Sequence, residues 1–121
     1  MRARAVAKFI KGSPQKARLV IDLIRGRGVN EALGVLSASR KRAAKPIETT
    51  LRSAIANAEQ KADQRGVTID VDRLVVSAAT VDLGPTKYRR RVRPAPMGRA
   101  YRERRWQSHI TIEVETEGND E

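Results

Sequence analysis

Arginine and lysine are concentrated in one short stretch of the chain, "KYRRRVRPAPMGRAYRERR", residues 87–105. Nine of its nineteen residues are bases, eight of those nine are arginine, and Glu103 is its one acid. An arginine guanidinium donates two parallel hydrogen bonds to phosphate oxygens and stacks on flat rings, whereas the lysine ammonium group acts as a point charge. The aromatic residues Tyr88, Tyr101 and Trp106 lie in or next to the stretch and are suited to stacking on unpaired bases. This stretch therefore predicts binding to a polyanion, and we interpret that partner as nucleic acid.

The residues predicted to bind nucleic acid are Lys87, Tyr88, Arg89, Arg90, Arg91, Arg93, Arg99, Tyr101, Arg102, Arg104 and Arg105. Prolines cannot donate ladder hydrogen bonds and glycine tolerates positive φ, so "RPAPMG" is where the chain is expected to reverse. The predicted tip contains Arg93, Pro94, Ala95, Pro96, Met97 and Gly98. Because like charges repel and an isolated two-stranded ribbon is marginally stable, we expect an arm that becomes ordered only when an anionic partner holds it.

A second basic patch is predicted around the start of the first helix, where free N–H groups also attract phosphate. The patch contains Lys8, Lys11, Ser13, Lys16, Arg18 and Arg25, and Arg27 follows closely in sequence. The alternative is an ordinary solvated helix face, on which Arg18 pairs with Asp22 one turn later.

Residues that support catalysis or metal binding are sparse. The sequence contains no cysteine, and His109 is its single histidine. Without a neighbouring nucleophile or carboxylate, that histidine is expected to pack or to make one RNA contact. Asp70 and Asp72 are interpreted as solvated turn residues. We therefore predict that the protein is not an enzyme and that it has no cofactor and no metal site.

The overall composition is compatible with one domain that has an uneven charge. The 121 residues carry a formal net charge of +11, yet residues 106–121 contain five acids and no lysine or arginine. No apolar run approaches the roughly 20 residues that span a bilayer, and the N-terminus lacks the apolar segment of a signal peptide. A cytoplasmic protein that does not bind membranes is predicted.

Three stretches alternate with the period of a strand. The first is "RARAVAKFI", a candidate edge strand whose inward positions are Ala3, Ala5, Ala7 and Phe9. A second is expected from Val67 to about Asp82. The third is "SHITIEVET", in which Ile110, Ile112 and Val114 share one face.

Three helices are predicted between the first two strands. Ser13 is expected to cap the first and Pro14 to lie in its first turn, while Asn30 caps the second. The third is expected to begin near Ser39 and to continue through Pro46, which should bend or delay it. The apolar positions of this third helix are Ala43, Ala44, Ile47, Leu51, Ala54, Ile55, Ala58 and Ala62.

The predicted fold class is α+β: three helices packed on a small three-stranded antiparallel sheet, with a long protruding basic β-hairpin. Residues 1–83 and 106–116 are predicted to form the globular α+β domain. Residues 84–105 are predicted to be an extended arm inserted within that single domain, and residues 117–121 a frayed acidic C-terminus.

Two other functions are compatible with a basic ribbon. A DNA-bending protein embraces duplex DNA with a proline-tipped ribbon, but such proteins are usually dimers with an apolar wedge at the tip, for which Met97 is poorly suited. A cationic hairpin on an anionic membrane surface needs an apolar face of Trp, Phe or Leu opposite its charges. The stretch offers only Val92, Met97 and two tyrosines for that face.

Five blocks of sequence occur in one order and together resemble the bacterial large-subunit ribosomal protein family numbered twenty-two. They are "SPQKARLVIDLIRG" at 13–26, "LRSAIANAE" at 51–59, "VDLGPT" at 81–86, "MGRAYR" at 97–102 and "SHITIEVE" at 108–115. By this resemblance, 84–86 mark the outgoing limb of a hairpin and 98–102 its return. The resemblance covers nearly the whole chain.

The resemblance implies a structural protein of the large ribosomal subunit that contacts ribosomal RNA and acts early in subunit assembly. It implies a globular part beside the exit of the nascent-peptide tunnel and a hairpin whose tip forms part of the tunnel wall. The partners it implies are large-subunit ribosomal RNA, the neighbouring protein numbered four at the constriction, and the nascent polypeptide. No homo-oligomer is expected.

Overall fold

The structure of the protein, a computed structural model, describes residues 2–84, 90–94, 100–104 and 107–116. In chain order the elements are β1 (Arg2–Lys11), α1 (Pro14–Ile24), α2 (Val29–Ala38), α3 (Ala44–Arg65), a 3₁₀ turn (Val71–Arg73), β2 (Leu74–Leu83), β3 (Arg90–Pro94), β4 (Ala100–Arg104) and β5 (Gln107–Thr116). One antiparallel sheet has the order β1-β5-β2, and β3 pairs with β4 in a second sheet. Three helices and a three-stranded antiparallel sheet confirm the predicted α+β class.

The core lies between the helices and the central strand β5. Alternate residues of β5 are buried, and Ile110, Ile112 and Val114 are each at most 1% exposed. The helices cover this face with apolar stripes at helical spacing, which in α1 consist of Ala17, Val20, Ile21 and Ile24. Burying a branched apolar side chain stabilises the fold by roughly 1.5–3 kcal/mol. The predicted stripe of α1 and the predicted face of β5 are both confirmed.

Helix α3 begins at Ala44, five residues later than the start predicted near Ser39. Pro46 is the third residue of the observed helix, in the first turn, where its missing N–H has no helical acceptor to lose. The proline therefore fits the start of a helix that begins later than predicted, and residues 39–43 form the connection from α2. Along α3, Ile47, Leu51 and Ala54 are fully buried.

The beginnings of α2 and β2 also differ from the predictions. Gly28 occupies the N-cap of α2, whereas Asn30 lies inside the helix and donates its Nδ2–H to Asp72 Oδ1 at 2.9 Å. Residues 67–70 are irregular, and the carboxylate of Asp70 caps the 3₁₀ turn by accepting the Asp72 N–H at 3.0 Å. Strand β2 starts at Leu74, which pairs with Thr116, the last described residue of β5. The alternation at 67–72 therefore does not correspond to a strand.

The predicted inward position of Phe9 is wrong. The pairing register of β1 with β5 shifts between Ala7 and Ile10, so Ile10 turns toward the core and Phe9 is displaced to the surface. Phe9 has a φ of 60° in this bulge. A bulky residue in that region costs on the order of 1–3 kcal/mol, so the surrounding structure must hold it there. Alternation along a sequence cannot reveal the extra residue of a bulge.

Both outer strands of the three-stranded sheet have their free edges covered. On β1, Asn57 of α3 donates Nδ2–H to the Arg4 carbonyl at 2.9 Å, and Lys61 Nζ donates to the Arg2 carbonyl at 2.7 Å. On β2, the Gly26 N–H donates to the Val76 carbonyl and the Val76 N–H donates to the Arg27 carbonyl, both at 2.9 Å. Uncovered edges promote pairing with other chains. The predicted edge position of β1 is confirmed, and side chains of α3 donate hydrogen bonds to its carbonyls.

Candidate nucleic-acid interface

A cationic cleft of about 630 Å³ opens where β1 ends, α1 begins and the α2–α3 connection passes. Its charged lining residues are Lys11, Lys16, Lys41 and Arg42, and no acid is among the described residues that line it. The lining also includes Ser13 and several apolar residues. Four cations around one concave surface attract a polyanion more strongly than the same charges spread over the domain.

Local geometry fixes the entrance of this cleft. Gly12 has a φ of 131°, which favours glycine, and its carbonyl accepts the buried Ser108 hydroxyl at 3.1 Å. Ser13 then takes the N-cap position of α1 as predicted, but its side chain makes no capping hydrogen bond. The first N–H groups of a helix have no acceptors within it, so this end of α1 can receive a phosphate oxygen.

Arg18 and Arg25 of the predicted patch are directed elsewhere, to the edge of β2. Arg18 donates to the Val81 carbonyl from Nε at 3.2 Å and from Nη2 at 2.9 Å. Arg25 donates from Nε to the Ala79 carbonyl at 2.8 Å and forms an ion pair with Asp22. Asp22 thus pairs with Arg25, and Arg18 binds the backbone instead. The two arginines cover the edge of β2, and their role in RNA binding stays a prediction.

The structure therefore divides the predicted patch into separate groups. Lys11, Ser13 and Lys16 lie together in the cleft, Arg18 and Arg25 lie along β2, and Lys8 is exposed on β1.

Lys41 and Arg42 complete the cleft but do not belong to the predicted patch. The sequence signal for them is the run "SRKRAAK" at 39–45, which contains four bases and no acid. The prediction of a helix from Ser39 places these bases on an ordinary helix surface. It therefore gives them no role in a binding site.

The backbone of the predicted arm forms an antiparallel ladder. Its register pairs Arg90 with Arg104, Arg91 with Glu103, Val92 with Arg102, Arg93 with Tyr101 and Pro94 with Ala100. The ten residues contain five arginines and one acid. Arginine lies directly opposite arginine at one position of the ladder, and such like-charge pairs destabilise a sheet.

Several predicted contact residues lie outside the described part of the chain. They are Lys87, Tyr88, Arg89, Ala95, Pro96, Met97, Gly98, Arg99 and Arg105. Of the predicted tip, Arg93 and Pro94 belong to β3. The predicted acidic tail at 117–121 also lies outside the described residues.

Gly84 and Gln107 are close neighbours at the globular end of the predicted arm. The Gly84 N–H donates to the Gln107 carbonyl at 2.8 Å. A Cβ atom on Gly84 would lie 3.1 Å from the Gln107 Cβ and 3.3 Å from its backbone. Only glycine fits this close approach without displacing Gln107.

His109 and the two aspartates have structural contacts. His109 Nδ1 accepts the Phe9 N–H at 3.1 Å, and the two rings form an edge-on contact with centroids 5.1 Å apart. Asp70 and Asp72 bind the 3₁₀ turn and Asn30, as described above. Within the described ranges, no group of three or more His, Cys, Asp or Glu side chains could hold a metal ion. None of the described helices is both long enough and apolar enough to cross a bilayer.

Comparison with known sequences supplies the class of the protein. The family described as "Ribosomal protein L22p/L17e" matches residues 5–115, which is most of the chain. The chain belongs to this ribosomal protein family.

Individual relatives agree with the family match. A protein named large ribosomal subunit protein uL22, from Solibacter usitatus, is 51% identical over 114 residues, covering 94% of this chain and 96% of the relative. Its namesake from Halothermothrix orenii is 53% identical over 94% of this chain and 95% of its own length. A third, from Acidothermus cellulolyticus, is 48% identical over 96% of this chain, which spans 41% of that longer relative.

Family membership makes the chain a structural protein of the large ribosomal subunit, in the cytoplasmic ribosome, and not an enzyme.

Proposed function

We propose that this protein binds large-subunit ribosomal RNA through two surfaces, the arm at 84–105 and the cationic cleft, and that it supports early assembly of the subunit. The globular part lies beside the opening of the peptide exit tunnel. The arm extends inward along the RNA, and its tip contributes to the tunnel wall next to the nascent polypeptide and the neighbouring protein numbered four.

The pairing of β3 with β4 carries this proposal. Its register sets Arg90 opposite Arg104 in a ladder with five arginines and one acid. Such a ribbon has few apolar groups with which to pack on its own domain, and its charges repel one another. Phosphate groups on both sides would neutralise the repulsion and accept the paired N–H donors of the guanidinium groups.

The cleft supports a second contact on the globular part. Its four cations come from β1, α1 and the α2–α3 connection, so they converge only in the folded domain. A protein with two separate cationic surfaces can bind two segments of RNA at once and hold them near each other. This is the physical basis of the assembly role.

Charge reversal in the arm tests the proposal against a matched control. Arg90→Glu combined with Arg93→Glu is compared with Arg65→Glu combined with Arg73→Glu, which changes the net charge equally at exposed positions outside both surfaces. The arm variant should bind a transcript of large-subunit ribosomal RNA more weakly. Its slope of log K against log salt should fall by about 0.7–0.9 for each phosphate that the protein no longer neutralises. Equal affinities and slopes for the two variants would refute the role of the arm.

The cleft is tested with the same control. Lys41→Glu combined with Arg42→Glu should lower both the RNA affinity and the salt slope, while the domain stays folded because both residues are exposed.

Binding to duplex DNA at the same salt concentration separates this function from DNA bending. A protein that prefers duplex DNA over structured ribosomal RNA would contradict the proposal.

A further inference from the structure

One aromatic ring is held in solvent at the surface of the globular part. Phe9 is 58% exposed, although a bulky residue with a φ of 60° persists only where neighbouring structure supports it. Ile10 occupies the inward position next to it, so core packing does not account for the Phe9 ring. A strained backbone that presents an apolar ring to solvent points to a contact made outside the molecule.

His109 supports this presentation in two ways. Its Nδ1 accepts the Phe9 N–H at 3.1 Å, which satisfies the donor that the bulge removes from the ladder. Its ring meets the Phe9 ring at an interplanar angle of 88°, with centroids 5.1 Å apart. An edge-on contact of this kind uses at most one face of the phenyl ring, and Phe9 remains 58% exposed.

The charges around the ring define what can bind there. Lys8 precedes Phe9 and Lys11 follows two residues later, and both are exposed. On the other side, Asp82 pairs in register with His109. A planar ligand with an attached anion would therefore stack on Phe9 with its anion over the lysines and away from Asp82.

We infer that Phe9, supported by His109, is a stacking platform for one unpaired base of the ribosomal RNA, with the flanking phosphates near Lys8 and Lys11. This inference rests on the proposed RNA binding and adds a base-contacting subsite to it. The platform lies next to the cleft along β1, because Ile10 and Lys11, the two residues after Phe9, both line the cleft.

Phe9→Gly is the most informative variant. Glycine adopts positive φ without strain, so the bulge is kept while the ring is removed. Binding to a transcript of large-subunit ribosomal RNA should weaken by about 5- to 100-fold, the effect of losing one stacked base. The salt slope should stay the same because no cation is removed, and the thermal midpoint should be equal to that of the wild type or higher.

Two further variants separate stacking from other roles. Phe9→Tyr keeps an aromatic face and should bind as the wild type does. Phe9→Leu keeps an apolar side chain without a π-face and should bind as weakly as Phe9→Gly. Wild-type affinity in Phe9→Leu would show an ordinary apolar contact and overturn the inference.

The remaining outcomes are also decisive. If the wild type binds the transcript and Phe9→Gly binds equally well, the platform is refuted while the proposed function stands. A loss of affinity accompanied by a reduced salt slope would show that the bulge merely positions lysines, which also overturns the inference. If the wild type itself fails to bind, the proposed function fails first.

Discussion

The three-stranded sheet and the β3–β4 ladder are both antiparallel, yet they are stabilised by different means. In the first, β5 has a partner on each side, its buried face packs on helices, and the outer edges are covered by side chains such as Asn57 and Arg25. In the second, two five-residue strands form a two-stranded sheet, and Arg90 pairs with Arg104 in its register. The globular part contains its own stabilising contacts, whereas under the proposed function ribosomal RNA supplies those of the arm.

This difference explains how one small chain accommodates so much like charge. The described hydrophobic core is formed by the helices and the three-stranded sheet, and the most basic stretch, 87–105, lies between β2 and β5 in the sequence. The cleft follows the same principle, since its cations lie at the ends of elements and around a connection, away from the buried stripes.

Removing the arm should have the largest effect on RNA binding. Residues 85–106 can be replaced by Asn-Gly, a two-residue turn, because Gly84 and Gln107 are already hydrogen-bonded neighbours. RNA affinity should fall by roughly 100-fold or more, since several charge-assisted hydrogen bonds are removed together. The free energy of unfolding, measured in urea, should change by less than about 1 kcal/mol because no described core residue is removed. A shortened chain that fails to fold would contradict the division into domain and arm.

A substitution in the core should have the opposite effects, a large loss of stability with little change in RNA affinity. Ile112 is fully buried in the middle of β5, so Ile112→Ala should lower the free energy of unfolding by about 2–5 kcal/mol. RNA affinity should be nearly unchanged under conditions where the variant is folded. Val6→Ala, at a residue 45% exposed on β1, is the control and should have little effect on stability. Equal destabilisation by both substitutions would contradict the assigned core.

Loss of the contacts that cover the edge of β2 should have a smaller effect on stability. Arg25→Met keeps an apolar stem but removes both the hydrogen bond to the Ala79 carbonyl and the exposed ion pair with Asp22, and should cost about 1 kcal/mol. The matched control is Arg27→Met, which breaks only an exposed pair with Glu31 and should cost less than about 0.5 kcal/mol. Urea unfolding compares the two. An equal cost for both would show that the edge contact of Arg25 contributes nothing.

Much of the fold is predictable because burial follows the sequence period in α1, α3 and β5. The position of Phe9 and the start of β2 are not, since a bulge and the end of a partner strand depend on pairing between segments that are far apart in sequence. Capping propensity ranks Asn30 and Gly28 both highly, so it does not decide which of them begins α2. The errors at Phe9 and at the start of β2 both concern strand pairing, which local sequence patterns do not encode.

The sequence predicts the arm more completely than it predicts the cleft. The arm is contiguous in sequence, so its concentration of charge can be recognised directly. The cleft joins Lys11 and Lys16 to Lys41 and Arg42, which only the folded domain brings together. Charge alone also cannot separate Lys16 from Arg18, whose donors bind the Val81 carbonyl.

Amide hydrogen exchange, measured with and without large-subunit ribosomal RNA, tests the central claim that the arm depends on its partner. In the free protein, the amides of β5 should be strongly protected and those of β3 and β4 only weakly, because an isolated two-stranded ribbon is marginally stable. Adding the RNA should slow exchange in β3 and β4 by about 100-fold or more and change β5 little. Protection of β3 and β4 that is already equal to that of β5 in the free protein, and that RNA leaves unchanged, would contradict the account.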